Sequence, residues 1–110
     1  LFEYFDDIGE RVVFIGSSDL AHTHLASGPY GYSEAAAPFD WSCGKWAADP
    51  RKEQNALLLD ATTLVNKALS CGFPSLVILH GILEKDFSRW NPVLYANEHP
   101  TYYGMMVSTY

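Results

Sequence analysis

The sequence predicts an α/β fold: an open, mostly parallel or mixed sheet with helices on both faces, forming part of a larger domain. Two short apolar runs, residues 12–16 and 76–79, have the length of buried strands. The chain between them carries helical patterns and is long enough to connect two parallel neighbours. We therefore treat residues 1–110 as a single partial domain, and we expect the two runs to lie side by side in one sheet.

Composition limits the classes of protein and partner. Of the 110 residues, 48% are hydrophobic and 15% are aromatic, which is enough for one core. A formal net charge of −6 argues against a nucleic-acid partner. No apolar run approaches the ~20 residues that span a bilayer, and no signal peptide is evident, so we expect no membrane partner. Two cysteines, Cys43 and Cys71, make no disulfide framework, which favours a reducing, cytoplasmic location.

Helical spacing recurs along the chain. An apolar stripe over residues 1–8 predicts a first helix that Gly9 can cap. Asp40 and Asp60 are good N-cap residues, and each begins a predicted helix. Gly72 and Pro74 mark the expected end of the second of these helices. The predicted elements are a short helix capped by Asp40, a helical piece over 51–59, a helix capped by Asp60 that ends before Gly72 and Pro74, and a final strand at 102–110. Residues 93–95 are either a short strand or part of a long loop.

Polar residues follow the first apolar run at once, in the stretch RVVFIGSSDLAHTH (residues 11–24). In open α/β sheets, chemistry collects just beyond the carboxyl ends of strands. A strand that ends in two serines, an acid and two histidines therefore predicts a functional site. The alternative is that Asp19 caps a helix and that both His22 and His24 face solvent, and for His24 solvent is our expectation.

This stretch also resembles a known family. The segment Ser18-Asp19-Leu20-Ala21-His22 is similar to the strand-end segment of the LigB-type (class III) extradiol dioxygenase superfamily, which includes the Memo proteins. The resemblance implies that the chain is the C-terminal part of a longer protein, because family members carry an earlier half. The alternative is a natural small domain. The likeness recurs, in the same order, at residues 28–32 (GPYGY), 68–75 (ALSCGFPS), 80–83 (HGIL) and 101–105 (TYYGM).

The resemblance implies metal-dependent, O2-using cleavage of a catechol-like aromatic ring. Such chemistry needs iron(II), or another divalent metal, commonly held by two histidines and a carboxylate with positions left open. His22 would be the general acid/base, and Asp19 would orient its imidazole. The residues that would bind substrate are Ser17, Ser18, Tyr30, Tyr32 and His80.

Two alternatives from other classes stay open. One is a Memo-like metal-binding or interaction protein without ring-cleaving activity, in which Cys71 is a metal ligand. The other is a structural remnant that pairs with another chain and catalyses nothing. In the superfamily, two histidine ligands lie in the earlier half. We therefore expect the missing N-terminal half or a companion subunit as a partner, and an oligomer. Each of these residues also has a structural alternative, such as a hydrogen-bonded His80 or a small buried Cys71.

Overall fold

Helices dominate the computed structural model, which describes residues 2–110. The predicted α/β character is confirmed. Over the described residues, however, the sheet has two antiparallel strands, and it is not the open, mostly parallel or mixed sheet that we expected. The elements are α1 (Phe2–Asp7), α2 (Ala36–Ala48), a π-helical turn (Ala56–Ala61) that continues into α3 (Thr62–Ala68), α4 (Phe73–Leu83), a 3₁₀ turn (Phe87–Arg89), β1 (Val93–Glu98) and β2 (Met105–Thr109).

The second apolar run is part of a helix. Residues 76–79 lie inside α4, so the strand predicted there is wrong. α3 ends before Gly72 and Pro74, as predicted, and Pro74 also occupies the first turn of α4, where its missing N–H is not needed. Because α4 is apolar around most of its surface, its sequence lacks the period that separates a helix from a buried strand.

The first apolar run has no regular secondary structure and is exposed. Val13 and Ile15 leave 82% and 78% of their surface in solvent. Within the described residues, the run pairs with no strand, so the predicted buried strand and its pairing with residues 76–79 are wrong. The run lies along one wall of a cleft of about 670 Å³, with α4 and β2 on the other side.

The core forms around α2. Its buried positions Phe39, Cys43 and Trp46 recur at helical spacing and are fully enclosed. They pack with Leu57 of the π-helical turn and Leu83 of α4. None of the helices in the stretch from residue 2 to residue 110 is both long and apolar enough to cross a bilayer.

Both predicted N-caps lie inside helices instead. Asp40 is an interior residue of α2, and Asp60 lies within the π-helical turn, so both cap predictions are wrong. Asp40 has tertiary partners that its sequence position does not reveal. Its backbone carbonyl accepts a hydrogen bond of 2.7 Å from the Asn97 side chain, which attaches β1 to α2.

β1 begins at the first residue of the stretch 93–95, and β2 lies within the predicted strand 102–110. β1 and β2 pair from Val93 opposite Thr109 to Glu98 opposite Met105, with an irregularity after Leu94. The loop between them, residues 99–104, runs back beneath residues 20–24 and so reaches the candidate site.

α1 is short, and an ion pair joins it to the 3₁₀ turn. Gly9 has a positive φ of 67° just beyond α1, as a helix-terminating glycine does. Asp6 pairs with Arg89 of the 3₁₀ turn at 3.1 Å. Leu1, the first residue of the predicted stripe, lies outside the described residues.

Candidate metal centre

The segment that carries Asp19 and His22 is held by backbone hydrogen bonds on two sides. On one side it bonds to the end of α3 and the turn that follows, and on the other to the loop before β2. This fixes an irregular extended segment without a regular strand. The N–H to O=C bonds are Leu20 to Gly104 (2.8 Å), Gly104 to Ala21 (2.8 Å), His22 to Ala68 (2.9 Å), His24 to Tyr102 (3.0 Å) and Gly72 to Asp19 (2.8 Å).

Asp40 holds the same segment from beneath. One carboxylate oxygen accepts the Ala21 N–H at 2.9 Å, and the other lies 2.6 Å from Nε2 of His24. Burial raises the pKa of the Asp40 carboxyl, although the bonds from Ala21 and His24 act in the opposite direction. Ala21 and His24, which bond to Asp40, flank His22 in the chain. The Asp40 carboxylate therefore limits how far His22 can move.

Cys71 comes from a different part of the chain. Leu69 follows α3 in the left-handed conformation, and the turn returns the next residues toward Asp19. The Ser70 hydroxyl donates to the Asp19 carbonyl at 3.3 Å. A Cβ atom added at Gly72 would lie 2.5 Å from that carbonyl oxygen, so glycine is needed for this close approach.

Three potential metal ligands converge at this point. Oδ2 of Asp19 lies 3.2 Å from Nε2 of His22, and Sγ of Cys71 lies 3.9 Å from the same nitrogen. All three ligand atoms lie within 4.8 Å of one another. Ligands around a tetrahedral transition metal are separated by about 3.3–3.8 Å, as follows from metal–ligand bonds of about 2.0–2.3 Å. The three donors therefore fit a metal ion with small side-chain adjustments.

The ligand types also fit a transition metal. A thiolate, an imidazole and a carboxylate together suit zinc or iron(II) better than magnesium or calcium. The backbone N–H of Asp19 donates to Sγ of Cys71 at 3.3 Å, which holds the sulfur beside the other two ligand atoms. Cys71 is exposed and His22 is mostly buried, so the cluster opens to solvent on its cysteine side.

The arrangement differs from a nucleophilic triad. In a Cys-His-Asp triad, the carboxylate binds one ring nitrogen and the nucleophile faces the other. Here Asp19 and Cys71 both face Nε2 of His22. The arrangement therefore lacks the relay of a triad, and its three ligand atoms lie close enough together to share one metal ion.

Two tyrosine rings stand beside His22. The Tyr30 ring stacks on the imidazole, with centroids 5.1 Å apart and planes 18° apart. The Tyr102 ring is tilted, at 6.3 Å from His22 and 6.1 Å from Tyr30. Tyr102 was not among the predicted site residues, although it belongs to the TYYGM segment that the sequence singled out.

The remaining predicted substrate-binding residues differ in position. Ser18 approaches Gly72 at the edge of the cluster, and Ser17 is exposed beside it. Tyr32 forms a backbone bridge with His24 and keeps 67% of its surface exposed.

His80 has different surroundings from those predicted. It lies inside α4 and does not end a strand. Its Nδ1 accepts a hydrogen bond of 3.0 Å from the Trp46 indole, and its Nε2 lies 3.8 Å from Glu84. Within the described part of the chain, its contacts include none with Asp19, His22 or Cys71, so the site as observed does not include His80.

One cluster of histidines was missed. His24, expected in solvent, is buried with a side-chain exposure of 5% and pairs with Asp40. His99 stacks on it, with centroids 4.2 Å apart and planes 4° apart. No local pattern in the sequence indicates that His24, Asp40 and His99, which lie in three separate segments, come together.

Comparisons with known proteins add one relative. No protein-family model matches the chain. The chain is 33% identical over 101 residues to Protein CA_C1420 of Clostridium acetobutylicum. The matched stretch is 92% of this chain and 21% of that protein, so the chain spans about a fifth of the length of the curated relative it matches.

Proposed function

We propose that this protein binds a divalent transition metal through Asp19, His22 and Cys71, as a Memo-like member of the LigB-type superfamily. The observation that supports this most is the convergence of three different ligand types on one point. Cys71 is separated from His22 by 49 positions in the chain, and folding brings its sulfur to 3.9 Å from Nε2. A role for Cys71 favours the Memo-like form over an iron site made of histidines and carboxylate alone.

Three protein ligands leave positions for other groups on the metal. Zinc sites of this kind keep water or substrate at an open position, where the metal acts as a Lewis acid. In the family that the sequence resembles, two further histidines come from an earlier half, and such ligands would add to the three described here. A cytoplasmic location belongs to this proposal, because Cys71 must stay reduced to bind a metal.

Cobalt(II) titration tests the proposal directly. We expect one equivalent to bind, with a thiolate-to-metal absorption band and tetrahedral d–d bands. Cys71→Ser should abolish the thiolate band, and His22→Gln and Asp19→Asn should each weaken binding. Loss of an outer-sphere partner alone weakens metal binding about 10–100-fold, so loss of a ligand should do at least as much.

Matched controls separate the site from general damage. His99→Gln replaces an exposed histidine, and Cys43→Ala removes a buried thiol on α2. Both variants should bind cobalt(II) like the wild type. The proposal is wrong if the wild-type chain, reduced and folded, binds no cobalt(II) or zinc, or if Cys71→Ser leaves the affinity and spectrum unchanged.

Ring cleavage is the second candidate function. The observation that favours it is the pairing of His22 with Asp19 beside the rings of Tyr30 and Tyr102. With iron(II) bound elsewhere in the complete protein, His22 would act as general acid/base on a catechol-like substrate and Asp19 would orient it. His22→Gln should then keep its metal and lose about 10²–10⁴-fold in turnover.

The metal content of His22→Gln distinguishes the two functions. The purified variant and the wild type are compared by metal analysis and by turnover of a catechol with O2. The two candidate functions predict opposite results. Loss of metal makes His22 a ligand. Retained metal with lost turnover makes it the acid/base of a dioxygenase.

A further inference from the structure

We propose that Tyr30 is a positioning residue of the metal site and acts through the ring of His22. The inference rests on the proposed function, since it concerns how the histidine ligand is oriented. It replaces the substrate-binding role that the sequence suggested for Tyr30.

Among the described residues, the His22 ring lacks the usual means of orientation. A ligating histidine commonly donates its second ring N–H to a carboxylate or a carbonyl, which fixes the ring plane. Within residues 2–110, the hydrogen bonds of the His22 ring run through Nε2, the atom that faces Asp19 and Cys71. No protein hydrogen bond at Nδ1 therefore prevents the ring from rotating.

Stacking by Tyr30 supplies that restraint. The two rings lie nearly parallel, 5.1 Å apart, so rotation of the imidazole out of this plane would lose the contact. The orientation held in this way is the one that points Nε2 at the other two ligands. Tyr102 limits movement on a second side, at 6.3 Å.

The loop around Tyr30 is built to hold the ring there. The N–H of Gly28 donates to the Leu25 carbonyl at 2.9 Å, and Gly31 has a positive φ of 71°. A Cβ atom at Gly28 would lie 2.8 Å from Cβ of Tyr102, so the loop packs closely on its neighbour. Tyr30 thus occupies a defined turn, although about half of its surface is exposed.

The chain provides a matched control two residues away. Tyr32 belongs to the same loop and has a similar exposure, 67% against 53% for Tyr30. Its described contact with the site segment is a backbone bridge to His24, which does not depend on its ring. Removing the Tyr32 side chain should therefore leave the orientation of His22 unchanged.

The experiment compares Tyr30→Phe, Tyr30→Ala and Tyr32→Ala by cobalt(II) titration, with NMR of the His22 ring protons in the metal-free chain. Tyr30→Ala should weaken cobalt(II) binding about two- to tenfold, the value of one aromatic pair, and alter the d–d bands. Its His22 ring protons should move downfield, because the shielding tyrosine ring is gone. Tyr30→Phe and Tyr32→Ala should match the wild type in all three measurements.

The outcomes separate this inference from the proposed function. If the wild type binds cobalt(II) and Tyr30→Ala binds it equally tightly with the same spectrum, the positioning role is wrong and the metal site stands. If Tyr30→Phe is as weak as Tyr30→Ala, the hydroxyl and not the stacked ring is responsible, which also overturns the inference. If the wild type binds no metal, the proposed function fails and this role fails with it.

Discussion

The carboxylate of Asp40 lies 2.6 Å from Nε2 of His24, and the same carboxylate accepts the backbone N–H of Ala21. The two bonded residues lie on either side of His22. A residue in the middle of α2 therefore sets the position of the segment that carries the candidate metal ligands. The histidine–carboxylate pair is almost fully buried, so loss of one partner would leave the other without compensation.

Removal of the Asp40 carboxylate should destabilise the fold. We expect Asp40→Ala to lower the free energy of unfolding of the metal-free chain by about 3 kcal/mol, as measured by urea denaturation. Asp40→Asn keeps one acceptor and should have a smaller effect. Asp7→Ala, at an exposed carboxylate on α1, is the control and should change little. An Asp40→Ala variant as stable as the control would contradict this account.

Gly72 should resist substitution because it contacts the Asp19 backbone. A methyl group there would displace the turn that carries Cys71, so Gly72→Ala should reduce stability by about 1–3 kcal/mol and weaken cobalt(II) binding. The matched control is Gly81→Ala in α4, where an added Cβ meets nothing within 4 Å. That change should stabilise the helix by about 0.5–1 kcal/mol. Equal effects of the two substitutions would argue against the close approach.

Acid should destabilise the protein partly through His80. Burial lowers the pKa of His80, against the smaller opposing effect of Glu84, so the unfolded chain binds a proton more readily than the folded one. The free energy of unfolding should then fall as pH drops below about 6.5, the ordinary value for histidine. Asn at this position can still accept from Trp46, so His80→Asn should show a shallower pH dependence in urea titrations at pH 7.5 and 5.5. Parallel pH profiles for the two proteins would refute the role of His80.

The two thiols should react at very different rates. Cys71 is exposed, whereas burial raises the pKa of Cys43 to about 12, with a further contribution from Asp40. A disulfide reagent at pH 8 should therefore modify one thiol quickly and the second only after unfolding. Cys71→Ser should remove the fast phase, and zinc should slow it in the wild type. Fast modification in Cys71→Ser would show that Cys43 is accessible.

The exposed run at residues 12–16 should make the chain self-associate. Its apolar side chains stand in solvent, and an exposed apolar segment of this kind favours contact with another copy. Val13→Asp with Ile15→Asp should reduce the mass seen by sedimentation at high concentration. Leu59→Asp, at another exposed apolar position, is the control and should leave association unchanged. A wild-type chain that stays monomeric would contradict this prediction.

The sequence predicted the secondary structure best where local patterns are distinctive. The stripe before Gly9 corresponds to α1, and the strand predicted at residues 102–110 corresponds to β2. Residues 76–79 were misassigned because a short apolar run has no period. Pro74 follows the end of α3, as predicted, but its place in the first turn of α4 was not foreseen. Residues 12–16 form no strand, because whether an apolar run becomes a buried strand depends on partners that its own sequence does not contain.

For the candidate site, local sequence determined which residues can act as ligands. Asp19 and His22 stand three positions apart in a motif whose residue types are visible without a structure, and family resemblance added Cys71. Only the tertiary structure decided that the thiol of Cys71 meets their side chains, that Tyr30 stacks on His22 and that Asp40 holds the segment from within α2. Whether a residue can bind a metal is a property of its own side chain. Whether several such residues meet depends on how the end of α3, the loop before β2 and α2 pack together. Packing of this kind brings together residues that are far apart in the chain.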